Sequence, residues 1–95
     1  MFNKLKQIKD LRDKAKRVQT ALKDESVEAT GAWGKIKVKM SGNQEVLEVT
    51  IDPELIKVEE KKKIEDGIKE ATNSAIKKVQ RVMVEKMQKM GELKL

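Results

Sequence analysis

Lys35-Ile36-Lys37-Val38-Lys39-Met40-Ser41-Gly42-Asn43-Gln44-Glu45-Val46-Leu47-Glu48-Val49-Thr50-Ile51 is the stretch whose reading decides the fold. Ile36, Val38 and Met40 alternate with Lys35, Lys37 and Lys39, and Leu47, Val49 and Ile51 alternate with Glu48 and Thr50. A period of two is that of half-buried strands. Ser41-Gly42-Asn43-Gln44 between them is rich in residues that tolerate positive φ, which predicts a hairpin turn. In that hairpin the lysines share the polar face with Glu45 and Glu48, an attraction that is favourable but weak. Upstream, Val27 and Ala29 predict a shorter strand over 27–30, joined to the next by Gly31-Ala32-Trp33-Gly34. Residues 27–51 thus read as a three-stranded antiparallel meander.

Helices are predicted on both sides. From Leu5 to Leu22 the apolar residues fall at 5, 8, 11, 15, 18 and 22, spacings of three and four that stack them along one side of a helix covering residues 1–24. Downstream, Asp52-Pro53-Glu54 is a helix-start signal: Asp caps, Pro is tolerated at the first position and a carboxylate suits the positive end. It opens a short turn over 53–57. A long helix follows over 59–90, with Ile64, Ile68, Ala71, Ala75, Val79 and Val82 on one stripe that merges into Met83, Met87 and Met90. At ~1.5 Å per residue it is about 45 to 50 Å long, more than so small a body covers. Gly91 is the expected stop. The fold class is α+β, one domain over 1–95: N-terminal helix, meander, long C-terminal helix.

Ninety-five residues, 40% charged and 2% aromatic, leave little material for a core, so further apolar burial by self-association is expected. Cysteine is absent, and with it disulfides and thiolate metal sites; that fits a reducing cytoplasm. Histidine and tyrosine are missing too, which removes most nucleophiles, neutral-pH bases and transition-metal ligands. No run nears the ~18 apolar residues of a membrane span, and Met1-Phe2-Asn3-Lys4 has no apolar signal core behind it, so a protein that is not exported is expected.

The net charge of +6 is unevenly spread. Residues 1–23 hold eight Lys/Arg against Asp10 and Asp13; residues 24–60 hold four lysines against nine carboxylates; residues 61–95 hold ten Lys/Arg against five carboxylates. Both ends are basic and the middle is acidic. Such segregation focuses a positive field on what the ends build and steers an anionic polymer there.

Element order and motifs together resemble the YbaB/EbfC family. The resemblance rests on Thr30-Gly31 before Gly34, the alternating Lys35 to Met40, Gly42 in the turn and Ile51-Asp52-Pro53-Glu54-Leu55 ahead of the last helix, and it covers nearly the whole chain. It implies a bacterial, nucleoid-associated, non-catalytic protein: a tweezer-shaped homodimer that binds double-stranded DNA with little or modest sequence preference. Trp33 departs from the pattern, where the family usually places small residues. So does the lack of the Pro/Gly-containing C-terminal tail seen in many relatives.

The residues expected on DNA are Lys4, Lys6, Lys9, Arg12, Lys14, Lys16 and Arg17, with Lys77, Lys78, Arg81, Lys86 and Lys89 on the last helix. Lysines on a helix are usually plain solvated surface, but such a surface mixes signs, and 4–23 is strongly biased to cations. Only three of the 22 basic residues are arginine, so phosphate contact is expected to dominate over bidentate reading of guanine. Trp33 has the flat face needed to stack on a base, but a lone aromatic makes no platform, and packing on the dimer body or a helix is the expectation. Met83, Met87 and Met90 read as packed against another helix. Asp52 with Glu54, and Glu59 with Glu60, are explained by capping and helix-end charge preference rather than by catalysis or metal binding. Gly31 and Gly34 lack the spacing of a phosphate loop. No enzymatic activity, cofactor, metal, membrane or small-molecule substrate is expected; the place of action is the cytoplasm and nucleoid. Two other readings stand beside this one: a coiled-coil type protein-interaction module without DNA binding, and adsorption of the basic helices to anionic lipid.

Overall fold

A computed structural model of the chain describes residues 3–91; the ends of the expected 1–95 domain, residues 1, 2 and 92–95, lie outside the described residues. The order is α1 (Asn3–Leu22), β1 (Ser26–Gly31), β2 (Ile36–Ser41), β3 (Val46–Ile51), two short 3-10 turns (Pro53–Leu55 and Val58–Glu60) and α2 (Lys61–Lys89). The sheet is an antiparallel meander in the order β1-β2-β3. The α+β reading and the element order therefore hold, with boundaries shifted by a few residues.

The sheet is two-faced because the alternation is kept in register. Ala29 pairs with Val38, Ile36 with Ile51, and Val38 with Val49, so one face is apolar. Opposite it, Glu28, Lys37, Lys39, Glu48 and Thr50 gather, with Lys37 to Glu28 at 3.7 Å and Lys39 facing Glu48. A bulge at Lys39/Met40 sets Met40 against Val46, which puts Val46, Val49 and Ile51 on the apolar face and leaves Leu47 as the extra residue. That corrects the expected Leu47-Val49-Ile51 alternation, because one inserted residue shifts every side chain before it to the other face. In the β2–β3 turn Gln44, not Gly42, takes positive φ (64°). Gly42 is needed for closeness instead: an added Cβ would stand 2.6 Å from the Leu22 carbonyl oxygen.

α2 lies across β1 and β2 and closes the core, in which Ala29, Ile36, Val38 and Met40 meet Ala71, Ala75 and Val79, with Ala32 and Leu55 at its end. The small Ala71 and Ala75 let the helix sit close, and Gly67 takes this furthest. A Cβ at Gly67 would lie 2.6 Å from Ile36 Cδ1 and 2.9 Å from Ala32 Cβ, while one on Gly31 would strike the Gly67 carbonyl oxygen. The β1–β2 turn is thereby pinned to the helix by two facing glycines. Asp52 acts as foreseen: its Oδ1 accepts the Glu54 N–H at 2.9 Å and Pro53 opens the turn that delivers Leu55 to the core.

Among the described residues, the face of β3 and much of the α1 stripe stay uncovered. α2 does not extend over β3, so Val46, Leu47 and Val49 are exposed, against the expectation of a half-buried strand. Nor is the α1 stripe packed along its length: Leu22 is buried and Val18 half-buried, but Leu11 is 68% and Leu5 81% exposed. The reason is length. α1 runs antiparallel to the last turns of α2, with Val18 and Leu22 beside Met83 and Met87 and residues 16–20 beside Met90, and α2 then ends while α1 continues. The result is an elongated molecule, 63 × 22 × 21 Å.

Candidate nucleic-acid interface

The projecting arm is where the basic residues collect. α1 carries Lys4, Lys6, Lys9, Arg12, Lys14, Lys16 and Arg17 against Asp10 and Asp13, and all seven cations are exposed. Lys9, Arg12 and Lys16, spaced three and four apart, form one row along the helix. The second half of α2, whose last turns lie beside α1, adds Lys77, Lys78, Arg81, Lys86 and Lys89 against Glu85. Lys77, Arg81 and Lys89 stand in a row of four-residue spacing interrupted by Glu85, and all three are exposed.

Lys78 and Lys86 fasten the body of the chain. Lys78 Nζ donates to the Glu28 carbonyl oxygen at 2.8 Å, fastening α2 to β1. Lys86 Nζ lies 3.0 Å from Glu25 Oε1, and this half-buried pair ties α2 to the α1–β1 connection. Both are long-range contacts that charge patterning along the chain does not reveal. The arm's base is held further by the buried Leu22, by the Gly42 N–H donating to the Glu25 carbonyl at 2.8 Å, and by Asn43 Nδ2 donating to the Gln19 carbonyl at 3.2 Å.

At the other end the charge reverses. Trp33 is 96% exposed, which overturns, for the single chain, the expectation that it packs on a helix; the buried residue of that turn is its neighbour Ala32. Around Trp33 lie Glu59, Glu60, Asp66 and Glu70 with Lys62 and Lys63. Those lysines are paired, Lys62 with Asp66 at 3.3 Å and Lys63 with Glu60 at 3.2 Å. Glu54 faces Lys35 at 3.2 Å, so Asp52, Glu54 and Glu60 each have a structural partner, in the turn cap, Lys35 and Lys63. Among the described residues no group of three or more carboxylates is arranged to hold a metal ion, and no helix is long and apolar enough to cross a membrane. Met83 and Met87 line an open apolar groove with Leu11, Ala15, Val18 and Leu22 of the same chain.

Gly67 and the bare face of β3 escaped the sequence reading. A glycine inside a helix costs about 1 kcal/mol against alanine, which is the signal that could have marked Gly67 as a close-packing point. For β3 the alternation shows an apolar side but not whether anything reaches it.

Comparison with known proteins places this geometry. In Helicobacter pylori, the crystal structure of an uncharacterized protein superimposes with a TM-score of 0.70 over 87% of this chain and 96% of the other, at 19% identity; it shares the fold. A nucleoid-associated protein of Syntrophobacter fumaroxidans is 35% identical over 90 residues, 95% of this chain and 82% of that protein. One from Rhodopseudomonas palustris is 39% identical over 84 residues, covering 88% and 79% of the two chains. The model of the YbaB/EbfC DNA-binding family matches residues 1–93. With the helix–meander–helix order and the Thr30-Gly31 to Leu55 motifs in place, the chain belongs to the YbaB/EbfC DNA-binding family.

Proposed function

We propose that the protein binds duplex DNA at the nucleoid as a homodimer, gripping phosphates with its cationic arms and reading little of the sequence. The observation that carries this is the gathering of α1 and the last turns of α2 into one projecting arm on which cations far outnumber carboxylates. Each lysine that meets a phosphate displaces a condensed counterion, so binding is driven largely by ion release and is strongly salt-dependent. The scarcity of arginine supports backbone contact over base readout.

Dimerisation is supported by β3. It is an edge strand with Val46 and Val49 exposed on the sheet's apolar side, and the half-buried Ile51, Ile64, Ile68 and Ile76 rim the core. A second copy laid over that face covers apolar area that one chain leaves in water, and places two arms on one body. The deciding experiment is a mobility-shift titration against several unrelated duplexes at two salt concentrations, paired with sedimentation equilibrium. Similar affinities that collapse together at high salt, with a mass of twice 10.8 kDa at micromolar concentration, are the expected result. No binding at low salt from a folded dimer would reject the DNA reading and favour a protein-interaction module.

A further inference from the structure

Trp33 is a presented side chain rather than a stray one. Ala32, Trp33 and Gly34 all have positive φ (52°, 58° and 85°), a region that side-chain-bearing residues use sparingly. The turn is closed by the Gly34 N–H donating to the Gly31 carbonyl at 3.1 Å and the Lys35 N–H to the Ala32 carbonyl at 3.2 Å. Below it, the Gly31–Gly67 contact and buried Ala32 anchor the turn to α2. The indole is therefore held out from a rigid base, and a rigid aromatic loses little freedom when it binds.

Its surroundings select the partner. With Lys62 and Lys63 already paired, Glu59 and Glu70 have no ion-pair partner among the described residues, so the rim of this knob is negative. That rim opposes a DNA phosphate and favours an apolar surface flanked by cations. The chain itself carries such a surface: the first half of α1 exposes Leu5, Ile8 and Leu11 between Lys4, Arg12 and Lys14. One chain cannot bring the two together. Asp66 beside Trp33 and Met90 beside α1 are about 36 Å apart along α2, and α1 extends a further 15 Å or so beyond.

We infer that the Trp33 knob of one molecule docks on the Leu5-Ile8-Leu11 stripe of a second copy, end to end. Such a contact joins two different surfaces, so it leaves a free knob at one end and a free stripe at the other, and propagates into open assemblies beyond the dimer. It does not rest on the DNA-binding reading and is tested without DNA.

Sedimentation velocity of the full chain over a wide concentration range is the test. Wild type is expected to grow beyond the dimer as concentration rises. Trp33→Asn, in which asparagine tolerates the left-handed turn, and separately the triple change Leu5→Gln, Ile8→Gln, Leu11→Gln are each expected to keep the dimer and to raise the concentration of half-assembly about tenfold or more. Mixing the two variants restores association, because each supplies the surface the other lacks. Four outcomes overturn the inference: wild type that stops at the dimer, growth that survives the α1 change, loss of the dimer itself in Trp33→Asn, and mixed variants that remain apart although circular dichroism shows both folded.

Discussion

Replacing Lys9, Arg12 and Lys16 together by glutamine asks whether α1 is the DNA-binding face, and helix geometry sets the size of the effect. The three are exposed and lie in one row. Lys9 and Lys16 are about 10.5 Å apart along the helix axis, about three base steps of ~3.4 Å, so the row reaches separate phosphates. Each neutralised phosphate contributes about 0.9 to the slope of log K against log salt, so three per protomer make about 5 for a dimer. Between about 50 and 200 mM salt, these contacts alone cost wild type roughly a thousandfold in affinity, and the variant is spared that loss. The assay is fluorescence anisotropy of labelled duplexes across a salt series. The slope is expected to become shallower by about 5, with all sequences weakened alike. Glutamine is nearly as good a helix former as lysine or arginine and none of the three belongs to the apolar stripe, so circular dichroism and the dimer stay as they were. An unchanged slope in the folded variant refutes α1 as the contact face; loss confined to one duplex refutes phosphate gripping in favour of base readout.

The β3 face and the glycine pin yield two further expectations. Val49→Glu puts a charge on the apolar face that a second copy is proposed to cover, so the sedimentation mass should fall from twice 10.8 kDa to 10.8 kDa while the exposed site leaves the monomer fold intact. A variant that remains dimeric rejects β3 as the interface. Gly67→Ala forces a methyl against Ile36 Cδ1 and Ala32 Cβ, both closer than 3.0 Å, so overpacking of about 2–3 kcal/mol outweighs the ~1 kcal/mol gained in helix propensity, leaving a net loss of about 1–2 kcal/mol. Urea unfolding measures it, and a neutral or stabilised protein would show that the turn and helix are not in tight contact.

How a sequence this polar specifies its fold is visible in particular residues. The alternation of Ile36-Val38-Met40, the Asp52-Pro53 cap and the 3.6-residue stripe of α2 each fix a local period or boundary, and these depend only on neighbours in the chain. The segregation of cations to the two ends of the chain is equally local. Their convergence on one surface was not legible, since it depends on α1 folding back against residues 83–90 of α2.

By itself, then, the sequence determined the order of elements, the apolar side of the helices and of β2, and where the positive charge collects. Only the tertiary structure decided which apolar sides are covered: α2 reaches β1 and β2 but not β3, and Leu22 but not Leu5, Ile8 or Leu11. It also decided that Lys78 and Lys86 fasten the body, that Gly31 meets Gly67, and that Trp33 faces solvent rather than the core. The physical reason is that periodicity records a side chain's preference to leave water, whereas burial requires a second surface at the right distance. The relative lengths and crossing of α1, α2 and the sheet set that distance, and no local pattern encodes them.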